Sequence, residues 1–174
     1  MFNSAEFELS SQSYTLSKLM ADARQTYVSL FTDIKTMRCI GPVLSSELAE
    51  QHFVAAVQSS ARCPASQLYL SIKQPNQTEV IGIFNARVVS MDKRVEIGIM
   101  LLRQYHRIGL AHGIVKAVCE RIFTRYKVEN IFCNIQQHNL AAQKLVESLG
   151  FVKVDSVMGY SLDKYCLRVG LCTQ

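Results

Sequence analysis

The sequence lacks the features that would assign it to several large classes of protein. No apolar run approaches the roughly 20 residues that a membrane-spanning helix needs, and the start MFNSAEFELS has neither the basic nor the apolar region of a signal peptide. The net charge is +5, but the basic residues form no block of the kind found in dedicated nucleic-acid binders. We therefore expect a soluble, cytoplasmic protein whose partners include neither membranes nor nucleic acid.

The cysteines and histidines also lack the spacing of a disulfide framework or a metal site. None of the 6 cysteines belongs to a Cys-x-x-Cys pair, and several lie in apolar segments, where a free thiol behaves as a small hydrophobe. The 4 histidines show no ligand spacing either. We expect reduced cysteines and no metal. The cysteines are Cys39, Cys63, Cys119, Cys133, Cys166 and Cys172.

What is present fits one domain over residues 1–174, because a chain of 174 residues with 49% hydrophobic content can build one substantial core but not two. Residues 1–12 are either a loose arm or a leading strand. A strand at 14–19 precedes a helix at 21–32, and Gly41-Pro42 separates that helix from a second one. Ser45 or Ser46 can cap this second helix, whose predicted buried side carries Leu48, His52, Phe53 and Ala56.

The rest of the chain alternates strands and helices. Segments 66–73 and 78–90 predict an antiparallel hairpin, followed by a strand at 95–102, a helix at 109–126 and a strand at 128–135. The long helix should bury Leu110, Ile114, Val118 and Ile122. A short helix and two final strands complete an α/β fold, with a mixed, mostly antiparallel sheet and helices on both faces.

The short basic loop HRIGLA, residues 106–111, stands between the strand VEIGIMLL and the long helix. Backbone N–H groups at a helix start lack intrahelical partners, so they can bind an anion. Gly109 and the small Ala111 let a phosphate approach the backbone. Arg103, Arg107 and Lys116 flank the loop, a placement that suits a nucleotide 3'-phosphate.

A second motif follows the next strand. Asn139 opens a short helix with apolar residues at helical spacing, and Gly150 fits a left-handed helix stop with Phe151 packing back. The apolar positions are Ala142, Leu145, Val146 and Leu149.

Together the two motifs resemble those of the GNAT acyltransferases, whose cofactor motif is (Q/R)-x-x-G-x-(G/A) and whose later motif is N-x-x-A followed by G-F. The opening from YTLSKLM to the second helix resembles the RimJ/RimL-like branch, so the likeness covers most of the chain. Two positions depart from the pattern. His106 replaces glutamine or arginine, and Val146 replaces the tyrosine that many members use as general acid.

The resemblance implies a GNAT-like fold and acetyl-CoA as cosubstrate. The pantetheine arm would lie along the strand before the loop, where a nearby backbone N–H would bind the oxyanion. The pyrophosphate would bind the loop and helix start, and Asn139 would hold the arm, although Asn139 is equally suited to cap its helix. The implied cofactor residues are Met100, Leu101, Leu102, His106, Arg107, Ile108, Gly109, Leu110, Ala111, His112, Gly113 and Asn139.

Glu96 is the one ionisable side chain inside VEIGIMLL, on the same strand face as Gly98 and Met100. Family members place a base near this position, so Glu96 is our candidate general base, accepting the amine proton directly or through water. The alternative is that Glu96 is a solvated residue near a strand start. Proton-bearing candidates for the missing acid are Tyr105, Cys133, Tyr160 and Tyr165, but solvent can also reprotonate the thiolate.

We interpret the sequence as an N-acetyltransferase that transfers acetyl to a primary amine, either a protein N-terminal α-amine or a small molecule. By resemblance, residues 36–41 and 155–160 would line the acceptor site. Because of Val146, the alternative is a non-catalytic acyl-CoA-binding or regulatory domain.

Overall fold

The computed structural model describes residues 2–62, 64–89, 93–106, 109–157 and 161–169, with side chains at 155–157 left out of the description. The helices are α1 (Arg24–Thr32), α2 (Ile34–Met37), α3 (Ser46–Ala61), α4 (Leu110–Arg125) and α5 (Leu140–Ser148). The strands are β1 (Leu9–Ser10), β2 (Thr15–Lys18), β3 (Gln67–Lys73), β4 (Val80–Val89), β5 (Arg94–Leu101), β6 (Asn130–Gln136), β7 (Val152–Val157) and β8 (Leu162–Arg168). Three 3-10 segments are Ser4–Phe7, Ala21–Ala23 and Arg103–Tyr105.

The described strands form one sheet of 8 strands in the order β1-β2-β3-β4-β5-β6-β8-β7. Neighbouring strands run antiparallel except β5 and β6, which run parallel because α4 connects them as a crossover. The predicted mixed, mostly antiparallel sheet is therefore confirmed. β5 and β6 pair only from Arg94–Asn130 to Glu96–Phe132, and beyond those residues the two strands diverge.

The two faces of the sheet carry separate cores. One core packs α4 and α5 against the sheet, and the predicted inward residues Leu110, Ile114, Val118 and Ile122 are all buried in it. The other packs α1 and α3 against β3 and β4 through Tyr27, Leu30 and Phe53. The helices thus cover both faces, as predicted.

Helix ends follow the chemistry that the sequence indicates. Ser45 caps α3, since its hydroxyl accepts a hydrogen bond from the Leu48 N–H at 3.2 Å. Gly150 takes a left-handed φ of 84° after α5. The Phe151 and Gly150 N–H groups then bond the Val146 and Glu147 carbonyls, both at 3.0 Å, which is the Schellman arrangement. The predicted glycine stop is confirmed.

Two expectations need correction. In α3 the buried residues are Ala49, Phe53, Ala56 and Ser60, whereas Leu48 and His52 are exposed, because the small Ala49 lets the helix approach the sheet one position further along. The helix at 21–32 begins as a 3-10 turn before α1, and the short α2 was not predicted. Of the two alternatives for residues 1–12, the structure supports the leading strand, since β1 pairs with β2 and Phe2 and Phe7 are buried.

Candidate functional site

Pairing between β5 and β6 ends at Glu96, and we call the gap between the two strands beyond that residue the cleft, with Glu96 at its apex. The Leu102 N–H donates to the Ile81 carbonyl of β4 at 2.9 Å. Because backbone groups alternate between the two sides of a strand, those of Met100 and Leu102 face β4, whereas those of Ile99 and Leu101 face the cleft. The cleft therefore presents unpaired strand edge to an extended ligand. The backbone groups of Ile97 and Ile99 also face the cleft, but these two residues are absent from the predicted set. The alternation of residues within VEIGIMLL could have identified them.

The start of α4 lies at the end of β5. Gly109 immediately precedes the helix with a φ of 79°, and among the described residues no side chain caps this end. The N–H groups of Leu110, Ala111 and His112 therefore have no intrahelical partners. The first of the helix bonds runs from the Gly113 N–H to the Gly109 carbonyl at 3.3 Å. Arg107 and Ile108 lie outside the described residues.

His106 lies at the mouth of the cleft. Its Nε2 is 2.9 Å from the Leu101 carbonyl oxygen, so the ring bonds the strand edge that faces β6. The exposed side chains of His112 and Lys116 follow on α4. They line one wall of a groove of about 340 Å³ between α4 and the C-terminal end of α5, with Glu147 and Phe151 opposite. His112 and Lys116 thus place side-chain hydrogen-bond donors on the first turns of α4, next to its uncapped end.

Glu96 is held by two neighbouring strands. It pairs in register with Arg87 on β4, and its carboxylate accepts hydrogen bonds from the Arg87 guanidinium and from Asn134 Nδ2, the latter at 2.9 Å. Its side chain is 21% exposed. Glu96 is thus a partly buried carboxylate with fixed donors, rather than a fully solvated one. Arg87 and Asn134 were missed in the sequence because cross-strand register is needed to find them.

Asn139 uses both ends of its carboxamide. Oδ1 accepts from the Ala142 N–H at 3.2 Å, so the capping interpretation is confirmed. Nδ2 donates to the Cys39 carbonyl at 3.2 Å, and His138 Nε2 lies 2.8 Å from the Arg38 carbonyl. The segment after α2 is thereby tied to the end of β6. A role for Asn139 in holding the cofactor arm stays a prediction.

The same segment also approaches the end of β5. Hydrogen bonds from Thr36 hold the pKa of Asp33 below its usual value, and the positive charge of Arg103 acts in the same direction. Residues 33–39 therefore span from Arg103, just after β5, to Asn139, just after β6. This places them at the open end of the cleft, on the side predicted for the acceptor. Of the other predicted acceptor-site residues, 158–160 lie outside the described residues.

The candidate proton donors differ in their surroundings. Burial raises the pKa of the Cys133 thiol to about 12, and the negative charge of Glu96 adds to the rise. A thiol that weakly acidic cannot favourably protonate another thiolate, whose ordinary pKa is about 8.5. Tyr165 is buried in the core opposite Cys133, and Val146 is buried as well. Tyr105 ends a 3-10 turn, and Tyr160 is outside the described residues.

Some absences can be stated for the described part of the chain. It contains no group of three or more histidine, cysteine or acidic residues that could hold a metal ion. Within the same residues no helix is long and apolar enough to cross a membrane. The four cysteines there, Cys39, Cys119, Cys133 and Cys166, form no disulfide.

Comparison with known proteins identifies the family of this chain and solved structures that share its fold. The family model for the acetyltransferase (GNAT) domain matches residues 14–152. Spermidine N-acetyltransferase from Vibrio cholerae, solved with CoA and spermine, has a TM-score of 0.78 at 14% identity, covering 94% of this chain and 100% of that one. No curated protein sequence matches.

Two further solved structures are protein acetyltransferases. The ribosomal L7/L12 alpha-N-protein acetyltransferase RimL has a TM-score of 0.77 at 14% identity, covering 91% of this chain and 92% of that one. The ribosomal-protein-S5-alanine acetyltransferase from Vibrio fischeri has a TM-score of 0.74 at 15% identity, covering 92% and 96%. At these identities the likeness is one of fold.

Proposed function

The chain belongs to the GNAT acetyltransferase family, and on that premise we propose that it transfers acetyl from acetyl-CoA to a primary amine. The observation that carries this proposal is the cleft between β5 and β6, which leads from Glu96 to the uncapped start of α4. An extended thioester arm and an anionic head group need those two features in that order. The acceptor is either a protein N-terminal α-amine or a small-molecule amine.

The cofactor would bind through backbone groups. The pantetheine arm would pair with the strand edge at Ile99 and Leu101, while the pyrophosphate would accept hydrogen bonds from the N–H groups between Arg107 and Gly113. Met100 and Leu102 would contribute side-chain surface instead, since their backbone groups face β4. Lys116 would approach the 3'-phosphate. His106 would exchange its bond to the Leu101 carbonyl for one to the cofactor.

The chemistry then needs few further groups. The neutral amine attacks the thioester carbonyl, a backbone N–H at the cleft edge stabilises the oxyanion, and the C–S bond breaks to release the CoA thiolate. Glu96 lies at the apex and would accept the amine proton directly or through water. Solvent would reprotonate the thiolate, because Val146 cannot and the Cys133 thiol is too weak an acid.

Two groups of structural relatives suggest two classes of acceptor. RimL and the S5-alanine enzyme are named for acetylation of ribosomal proteins, and the Vibrio cholerae enzyme for acetylation of spermidine. Either kind of acceptor presents a primary amine. We propose a protein N-terminus first, since the opening of this chain resembles the RimJ/RimL-like branch.

A CoA-release assay tests the function. Peptides with varied first residues, polyamines, amino sugars and aminoglycosides would be offered with acetyl-CoA, and product mass would identify the acetylated amine. Binding of acetyl-CoA would be measured separately by titration calorimetry. Binding without transfer to any acceptor would favour the non-catalytic alternative, and no binding would contradict both.

A further inference from the structure

Asn85 lies on β4, in the middle of the sheet and close to Glu96. It pairs with Tyr69 on β3 and with Gly98 on β5, while Arg87 pairs with Glu96 two positions along the same strands. Because side chains two residues apart share a strand face, Asn85 lies on the face that carries the Glu96 carboxylate. Within VIGIFNARVV, Asn85 and Arg87 are the two polar side chains.

Gly98 leaves room for the Asn85 side chain. A Cβ added at Gly98 would lie 2.6 Å from Asn85 Oδ1, so the carboxamide oxygen fills the space that any other residue at position 98 would occupy. This oxygen therefore lies over β5 just past the point where β6 departs. No hydrogen bond to the carboxamide is formed within the described residues, although Asn85 is half-buried. Neither polar atom of this carboxamide is fully buried, so it is open to a ligand or to solvent.

We propose that Asn85 is a substrate-binding residue whose Oδ1 accepts a hydrogen bond from the attacking amine. The amine would lie above Gly98, with its lone pair toward a thioester on the cleft edge. The backbone positions of Glu96 and Gly98 are about 7 Å apart along the strand, a gap that one water molecule can bridge. Asn85 would thus orient the amine, and Glu96 would receive its proton through that water.

This inference rests on the proposed function, and a set of variants tests it on an acceptor that the wild type acetylates. Asn85→Ala should raise the acceptor KM about tenfold or more, the loss expected for one hydrogen bond to a polar substrate group. Acetyl-CoA affinity and the melting temperature should not change. Asn85→Asp keeps an oxygen acceptor in place and should restore most of the lost kcat/KM.

Gly98→Ala gives an independent test, since its Cβ would displace the Asn85 carboxamide. It should raise the acceptor KM as Asn85→Ala does, and in the double variant it should cause no further loss, because truncated Asn85 leaves room for the added Cβ. Asn130→Ala is the matched control. Asn130 lies on the same sheet face at the start of β6, where β5 and β6 are still paired and no cleft is present, so its removal should leave the acceptor KM unchanged.

The outcomes separate the two proposals. A wild-type protein that acetylates no amine overturns both. A transferring enzyme whose acceptor KM is unaffected by Asn85→Ala overturns the role of Asn85 alone, as does failure of Asn85→Asp to restore activity. If Gly98→Ala lowers the melting temperature, its KM no longer tests the role of Asn85. The comparison of Asn85→Ala with Asn85→Asp then decides whether Asn85 binds the acceptor.

Discussion

At the scale of single residues, the setting of Glu96 determines how it can act. A carboxylate that accepts bonds from Arg87 and Asn134 is fixed in place, and an ionised carboxylate is the form that can accept a proton. The same bonds also stabilise the sheet at the apex of the cleft. Glutamine is the replacement of closest shape: it removes the basic carboxylate, and its one carboxamide oxygen can still accept one of the two hydrogen bonds.

We predict that Glu96→Gln lowers turnover by about 10²-fold or more with little change in acetyl-CoA affinity, the range that general bases contribute. The deficit should shrink at high pH, where the free amine is already abundant. Stopped-time assays from neutral to alkaline pH would measure it, with Arg87→Gln as a comparison that disturbs the ion pair but keeps the base. Wild-type turnover of Glu96→Gln at neutral pH would make Glu96 a structural residue.

Gly109 has both a left-handed backbone conformation and a position next to the proposed phosphate site. Its φ of 79° disfavours a β-branched side chain, and nothing lies within 4 Å of a Cβ built there, so the free protein has room for one. We predict that Gly109→Val abolishes acetyl-CoA binding in titration calorimetry, because the side chain would occupy the phosphate position.

The control for backbone strain at Gly109 is Asn76→Val. Asn76 has a φ of 60° in the turn between β3 and β4, two strands on the side of β5 opposite β6, so valine there imposes a comparable left-handed strain. Both variants should lose melting temperature, and only Gly109→Val should lose binding. Unchanged affinity in Gly109→Val would place the pyrophosphate elsewhere.

At the scale of elements, most of the fold could be predicted because its patterns are local. Alternation marks much of β3 and β5, a continuous apolar run marks the start of β4, and helical spacing marks the buried face of α4. Ser45, Asn139 and Gly150 mark helix ends through their own side chains or backbone freedom. The short α2 has too few residues to show a period, and its position depends on bonds to residues 138 and 139, a hundred positions away.

Only the part of the site that is built from consecutive residues could be predicted from the sequence. The strand, the glycine loop and the helix are consecutive, so their order is readable. The contacts that hold Glu96 join β4, β5 and β6, and their register depends on the whole sheet. This is why Arg87, Asn134 and Asn85 were missed, and why Met100 and Leu102 were grouped with Leu101 despite their opposite backbone orientation.

Asn139 connects two elements, and this gives an element-scale prediction. Asn139→Ala removes the α5 cap and the bond to the Cys39 carbonyl, so we expect a loss of about 1–2 kcal/mol of unfolding free energy, measured by urea denaturation. Ser45→Ala is the matched control, because it removes an equivalent cap from α3. If Asn139 also holds the cofactor arm, only Asn139→Ala should weaken acetyl-CoA binding. Equal affinity in both variants would limit Asn139 to its structural role.

At the scale of the whole molecule, the cleft divides the sheet into two parts that only three residue pairs join directly, from Arg94–Asn130 to Glu96–Phe132. The core under α4 and α5 spans both parts, with Val95 and Ile97 on one side and Ile131 and Ile135 on the other. Hydrophobic packing on one face thus holds the cleft open while the strand edges stay unpaired. Cys119 and Cys133 belong to that core, so its integrity also protects their thiols.

The thiols therefore report on the whole fold. We predict that a thiol reagent titrates six groups in denaturant, because the scattered cysteines stay reduced. In the native protein Cys119 and Cys133 should react only on unfolding, since both are buried and burial raises the pKa of Cys133 to about 12, leaving little thiolate at neutral pH. EDTA should not lower turnover on a verified acceptor. A stable intramolecular disulfide, or activity lost to the chelator and restored by zinc, would overturn this expectation.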